Sequence, residues 1–505
     1  MIKKLKYILL VVLFTLCLTA CGNESATELK YKEPKTNDNY RNYYEIFVRS
    51  FRDSNQDGIG DLNGVREKLD YIKDLGFDGI WLMPVNTALS YHKYDVKDYY
   101  TIDKEYGTLE DMKNLIKACN EKNIKLIMDL VINHTSDLNQ WFIKATKAKY
   151  ENDTTSKYLN YYNFSDTQKE GYRKYNNFYY EARFASDMPD LNLDSVDVRN
   201  EIKDIMKYWL DLGVSGFRLD AVTSYYTGNQ EKNKEFLSFI NEEAKKINPN
   251  CYIVGEAWTN TGEISKYYES GIDSFFGFGT DEGILFSINT SSGEYYSDWV
   301  NTLKNIKGSG IEAPFIGNHD TGRAAGILAR NENKIKFGYG LLTLISGNTF
   351  AYYGDEIGMV GSGVDPNKRI GMLWDMDKKD GYCAYPPGVT NAEYIFPSVN
   401  EQQADEYSIL NYYKKANYIR SNYDEIKKGD YSFKNYDTIS ILTKTYNDKK
   451  IIIAINFLNE EANAKLDNKY KVKETLLVSN DAYVKVNGND LSMSAFSIAI
   501  LEEVK

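Results

Sequence analysis

From Tyr43 the chain alternates short apolar runs with stretches whose apolar residues recur at helical spacing. Tyr44-Glu-Ile-Phe-Val-Arg-Ser50 reads as a first strand. Val65 to Leu75 has helical spacing and stops at Gly76. Gly79-Ile-Trp-Leu-Met-Pro84 reads as a second strand, ended by proline. Leu109 to Lys122 is helical, and Ile124 to Ile132 is a third strand running into Asn133-His134. Later strands are predicted at Gly216–Val222, Tyr252–Ala257, Asp273–Phe278, Ala313–Ile316 and Thr349–Tyr353. Helical stretches such as Arg199–Leu212, Lys234–Ile247 and Lys334–Leu344 lie between most of them. Eight strands alternating with helices predict an α/β protein, a closed (β/α)8 barrel with a parallel sheet.

Two regions break the alternation. Thr135 to Val198 is long, rich in Tyr and Asn, and irregular. An excursion of that length inside a barrel is usually functional. From about Tyr431 the pattern changes to short alternating strands such as Ile439–Thr445 and Lys450–Asn456, which predicts a separate C-terminal all-β domain. The expected layout is a barrel over residues 41–134 and 199–428, an insertion over 135–198, and a β domain over 429–505.

The first residues are of another kind. A basic start, Met-Ile-Lys-Lys-Leu-Lys, precedes an apolar run from Tyr7 to Ala20 and then Cys21. That is the pattern of a secretory signal. The run is shorter than the roughly 20 residues that span a bilayer. Leu18-Thr-Ala-Cys21 resembles a bacterial lipobox, which implies cleavage over 1–21, lipidation of Cys21 and an extracytoplasmic protein held at the cell membrane. Residues 22–40 are polar and are expected to form a flexible tether.

Composition narrows the partners. The net charge of −11 argues against nucleic acid, which needs basic faces. Beyond the leader, Cys119, Cys251 and Cys383 are widely spaced and odd in number, so neither a disulfide framework nor a zinc site is expected. The 43 tyrosines offer rings that could stack on flat sugar faces. A monomer is expected.

Chemistry gathers where the predicted strands end, as it does in barrels of this kind. Arg218 and Asp220 stand two apart and share a strand face. An aspartate beside a guanidinium stays ionised, which suits a nucleophile. Glu256 closes the fifth strand and neighbours Trp258; partial desolvation would fit it to donate a proton. Asp320 follows the seventh strand. Two carboxyl groups, one protonated and one charged, are what glycoside hydrolysis requires. The chain's three histidines, His92, His134 and His319, all fall at the same rim, where neutral imidazoles could bind sugar hydroxyls.

Four segments carry a resemblance: Asp129-Leu-Val-Ile-Asn-His134, Gly216-Phe-Arg-Leu-Asp220, the Glu256 segment and Phe315-Ile-Gly-Asn-His-Asp320. In order, they are similar to the four signature segments of the α-amylase family of glycoside hydrolases. The resemblance implies a retaining mechanism: Asp220 as nucleophile, Glu256 as acid and then base, Asp320 as transition-state stabiliser. It also implies that Arg218 orients Asp220, that His134 and His319 bind the glucose being cleaved, and that Tyr94 stacks on it. His92, Asp95 and Trp258 would complete the inner site. Asp365 and Arg369 could line its non-reducing side. The Thr135–Val198 stretch would be the family's domain B.

Calcium is the expected cofactor. Asp53, Asn55, Asp57, the Ile59 carbonyl and Asp61 alternate along a glycine-containing loop, and hard oxygen donors at that spacing suit Ca2+. The loop resembles the calcium loop after the first strand in oligoglucosidase-like members. The family's other calcium site uses the asparagine matching Asn133. Met188-Pro-Asp-Leu-Asn192 resembles a marker of members intermediate between oligo-1,6-glucosidases and neopullulanases. Ala221 leans towards α-1,4 bonds, because many α-1,6-acting members carry valine there. Thr223-Ser224 replace the Lys-His of many endo-amylases. The leading expectation is a lipid-anchored α-1,4-glucan hydrolase acting on starch or maltooligosaccharides. An α-1,6-glucosidase, neopullulanase-type or glucanotransferase activity is the alternative on the same scaffold. A non-catalytic sugar-binding protein is the distant one.

Overall fold

The computed structural model describes residues 29–436 and 438–504. The expected signal segment and Cys21 lie outside the described residues. Among the described residues, no helix is long and apolar enough to cross a membrane.

Eight strands form one parallel sheet: β1 (Asn42–Ile46), β2 (Gly79–Leu82), β3 (Lys125–Leu130), β4 (Gly216–Leu219), β5 (Tyr252–Gly255), β6 (Ser274–Gly277), β7 (Ala313–Pro314) and β8 (Thr349–Tyr352). Neighbours follow chain order, and β1 pairs with β8 through Asn42↔Thr349 to Glu45↔Tyr352. A parallel bridge from Phe315 to Phe350 joins the last two strands and closes the barrel. The predicted fold class is the observed one. Every strand stops short of its predicted C-terminal end. The apolar run continues past the last ladder pair because those residues still face the packed interior. Val48, for example, is buried but sits in a helical turn (Val48–Phe51), not in β1.

Rings fill the barrel. Tyr43 stacks on Phe350 at 4.8 Å and on Tyr252 at 5.3 Å between centroids, with Trp81, Phe276 and Phe315 around them. The mouth is thus floored by a rigid aromatic plug, and side chains just beyond the strands stand on it.

Helices form where caps and periodicity agree. α1 (Leu109–Glu121) opens with a capping box between Thr108 and Asp111. α2 (Gln140–Glu151), α3 (Val196–Asp211) and α4 (Gln230–Ile247) are capped by the side chains of Asn139, Ser195 and Asn229. The predicted Val65–Leu75 helix is two short ones, Leu62–Glu67 and Leu69–Asp74, separated at Lys68.

The stretch expected to be irregular is ordered. It contains α2 and a three-stranded antiparallel sheet of Phe164–Ser165, Tyr172–Tyr175 and Phe178–Glu181. Its sequence signal was weak because these strands are only two to four residues long. After residue 429 come a five-stranded and a three-stranded antiparallel sheet, packed around Ile439, Ile452, Leu491, Met493 and Leu501.

The end of the expected tether is not loose. The Tyr31 hydroxyl donates to Asp78 at 2.6 Å, and the amide of Lys32 donates to Ser421. Asp38 pairs with Lys428 at 2.5 Å, and Arg41 donates to the Lys35 carbonyl. Polar composition alone did not reveal that these groups find partners on the barrel. The thiols of Cys119, Cys251 and Cys383 are free and buried. Burial pushes the Cys251 thiol up to about 12.

Candidate active site

The site grows from one guanidinium. Arg218, on β4, is buried over the aromatic plug, its carbon centre 5.2 Å from the Trp81 ring centroid. Nη1 donates to Asp129 at 2.5 Å and to Asp220 at 2.6 Å. Nη2 lies 3.0 Å from Glu256 Oε1. A single cation therefore holds acids from the ends of β3, β4 and β5. Burial disfavours the Arg218 charge, but Asp129, Glu256 and Asp220 keep it firmly protonated.

Asp220 lies one residue past β4. Its side chain still meets Arg218, as the two-residue spacing predicted. Ala221 then turns the chain with φ 45°, and its amide donates to Glu256 Oε2 at 3.1 Å. Burial is the main force raising the Glu256 carboxyl above its ordinary value; Arg218 opposes it, and Asp220 and Asp320 add to it. Trp258 is 58% exposed and stacks on Phe278 at 4.9 Å.

Asp320 stands on the opposite side. Arg369 Nη2 donates to its Oδ1 at 2.8 Å, and His319 Nε2 is 3.0 Å from its Oδ2. Burial pushes Asp320 up. The His319 ring, Arg369 and Arg218 outweigh burial and hold it below the usual carboxylate range. His319 differs from the neutral imidazole expected. Nδ1 sits 2.6 Å from Glu45, and Nε2 sits 2.7 Å from the Tyr94 hydroxyl. Burial would strip its proton, but Asp320 and Glu45 raise it to about 10. Its position between Asp320 and Glu45 therefore favours the protonated ring.

The other histidines match the neutral form, since burial lowers both. His134 Nε2 is buried and has no partner among the described residues, so it has a hydrogen-bonding position to offer a ligand. His92 Nδ1 accepts from the Tyr94 amide at 3.2 Å. Tyr94 stands parallel to His319, with centroids 5.8 Å apart. Asp95 is buried and accepts from the Leu89 and Ser90 amides and the Ser90 hydroxyl, so it braces the loop. Arg369 is buried and belongs to the site, whereas the half-exposed Asp365 sits at the rim, 3.4 Å from it.

Sequence reasoning gave no role to Glu45, Asp129 or Tyr91. Glu45 holds His319. Asp129 ties Arg218 to the Trp81 indole, which donates to Oδ2 at 3.1 Å. The Tyr91 hydroxyl accepts from Arg369 at 3.2 Å. Glu45 faced inward from the first strand, and a charge inside an apolar run was the available signal.

The Asp53–Asp61 loop lies apart from this cluster and contains only hard oxygen donors. Asp53 and Asp61 are buried, and among the described residues no cationic side chain pairs with either. Their oxygens accept from backbone amides: Asp53 from Asn55, Gln56 and Gly58, and Asp61 from Ser54 and Gly64. Among the described residues no group of three or more His, Cys, Asp or Glu converges as a metal cluster. In donor chemistry the loop fits a hard cation, with buried carboxylates whose charge no side chain offsets. Asn133 turns its amide Nδ2 towards Asp190 Oδ1 at 3.2 Å.

The carboxyl groups of Asp220, Glu256 and Asp320, gathered at the C-terminal mouth of a (β/α)8 barrel, form the arrangement that glycoside hydrolysis uses. The family profile described as "Alpha amylase, catalytic domain" matches residues 45–429. The chain belongs to the α-amylase family and is an enzyme of the glycoside hydrolase and transglycosylase kind. It is 36% identical over 498 residues to Alpha-amylase 3 of Dictyoglomus thermophilum, covering 94% of each chain. It is 29% identical to the oligo-1,6-glucosidase of Bacillus cereus, covering 86% of this chain and 94% of that one. The solved structure of Eubacterium rectale Amy13B is 39% identical with a TM-score of 0.88, covering 94% of this chain and 97% of that one.

Proposed function

We propose that the protein is a retaining hydrolase of α-1,4-glucosidic bonds in starch, maltodextrin or maltooligosaccharides. The observation that carries this reading is the shared guanidinium. Arg218 holds Asp220 and Glu256 together, and retaining pairs sit roughly 5–5.5 Å apart. Asp220 attacks the anomeric carbon while the glycosidic oxygen takes the proton of Glu256. A glycosyl–Asp220 ester forms, and the leaving sugar departs as an alcohol. Water then attacks the same carbon, gives its proton to Glu256, and frees Asp220. The raised carboxyl of Glu256 supports its role as the donor. Asp320, held ionised by His319 and Arg369, binds hydroxyls of the distorted sugar. His134 and Tyr94 line the same ring.

Asp53, Asn55, Asp57, the Ile59 carbonyl and Asp61 would hold Ca2+, which supplies a structural brace and no step of the reaction. The leader supports export and lipid anchoring at Cys21. Cys21→Ser should then move the protein from the membrane fraction to the medium.

Product analysis on maltoheptaose, pullulan and isomaltose tests the bond reading, and proton NMR of the first product tests retention. Cleavage of maltoheptaose with an α-configured product is expected. Turnover of isomaltose alone would replace this reading with the α-1,6 one, the activity named for the Bacillus cereus relative. Chain-length redistribution without net hydrolysis would replace it with transfer.

A further inference from the structure

The inserted domain has a concave surface of its own. One face of α2 presents Phe142, Ile143, Thr146, Lys147 and Tyr150, spaced as helix neighbours. The hairpin tip Tyr175-Asn176-Asn177 stands opposite, with Tyr180 and Asp137 also in the wall. Together they bound about 880 Å3, within the roughly 300–1,000 Å3 of small-molecule sites.

The wall is built for an amphipathic ligand. Tyr150 is 63% exposed and Tyr175 40% exposed, and large rings left open in one place call for an occupant. Tyr175 is held by edge contacts to Phe142 and Tyr180. Around the rings, the side chains of Lys147, Asn176 and Asn177 and the Tyr150 hydroxyl make no hydrogen bond or ion pair with other described residues. A pyranose offers a C–H face to a ring and hydroxyls to such a rim. Lys147 and Asp137 are the charged groups of the wall, one of each sign, so a neutral ligand fits better than a charged one.

The groove adjoins the segment that leads away from the catalytic mouth. Asp137 follows His134 by three residues, and its amide donates to the Asp187 carbonyl. That carbonyl belongs to the loop whose Phe184 packs 5.3 Å from the His134 ring. We propose that the groove is an accessory α-glucan site, which holds polymer beside the mouth that cuts it. This rests on the glucan reading above.

The test uses the full chain and two variants, Tyr150→Ala with Tyr175→Ala, and Lys147→Ala with Asn177→Ala. All four side chains are solvent-exposed, and thermal unfolding is measured to check that each variant is folded. Adsorption to starch granules is measured in an Asp220→Asn background, and turnover of maltotetraose in the active one. The tyrosine pair should lower adsorption at least fivefold, because a two-point attachment becomes one-point. The polar pair should lower it about threefold, and maltotetraose turnover should stay within twofold of the parent. Unchanged adsorption in both variants overturns the site. So does an equal loss on granules and maltotetraose, which would place the effect in the mouth. Failure of the parent to cleave maltotetraose would instead strike the glucan reading itself.

Discussion

Two regions of the molecule bury cations, and they do so with opposite partners. At the mouth, Arg218 is surrounded by carboxylates. At the seam between the barrel and the C-terminal β domain, Arg420 donates to the carbonyls of Thr343, Ile345 and Gly347. Beside it, Lys444 donates to the carbonyls of Leu344 and Ile426 and to the Ser346 hydroxyl. Burial lowers Arg420 to about 10 and takes Lys444 well below its ordinary value. Fixed dipoles accept the cation but cannot move a proton or attack a carbon. Carboxylates can do both, so the same burial becomes chemistry at the mouth and adhesion at the seam.

The contrast can be broken at either end. Asp220→Asn should cost about 10⁴-fold or more in kcat with the melting temperature little changed, since a neutral amide cannot form the glycosyl ester. Activity close to the parent's would remove Asp220 from its role. Arg420→Met should behave in reverse. Several buried carbonyls lose their donor, at about 1–3 kcal/mol each. Denaturant unfolding should show a loss of about 3 kcal/mol or more, with kcat per folded molecule unchanged.

The mouth was far more legible in the sequence than the seam. Arg218, Asp220, Glu256 and Asp320 stand at strand ends, where spacing and position are read directly. Arg420 and Lys444 look like ordinary surface cations in a helix and a strand, and only tertiary packing buries them. The same limit hid the charge on His319. Its two carboxylates are Asp320, its neighbour in the chain, and Glu45, which lies 274 residues away and carried no motif. The strands were located but ran too long, because apolar runs report burial and not ladder pairing. The small sheet of the inserted domain was missed because its strands of two to four residues show no usable alternation.

Glu45→Gln sharpens the comparison by weakening one carboxylate contact at the mouth. In the parent, His319 is raised from its ordinary 6.5 to about 10. Its stabilising contribution is therefore complete below pH 6.5 and is lost as pH rises towards 10. The melting temperature should fall across that window. In Glu45→Gln the fall should be smaller and finish at lower pH, because less upward shift remains. Asp320 should lose its fixed orientation, lowering kcat/KM about ten- to a hundredfold. An unchanged pH–stability profile would remove Glu45 from this role.

The Asp53–Asp61 loop is the third arrangement, and its prediction is the smallest. Here the buried charges are carboxylates, and among the described residues only N–H and hydroxyl dipoles answer them. Carboxylates retain lone-pair capacity after those bonds, so a hard cation completes the loop where a side chain does not. A ligand that binds only the folded state at a hundred times its Kd adds about 2.7 kcal/mol. In a chain of this size EDTA should then lower the melting temperature by a few degrees, and excess Ca2+ should restore it. Asp57→Ala should abolish the EDTA response and leave the Glu45-dependent pH profile untouched, because the two loci share no residue. Absence of both a thermal shift and bound calcium by elemental analysis would mean that the amides alone carry the loop.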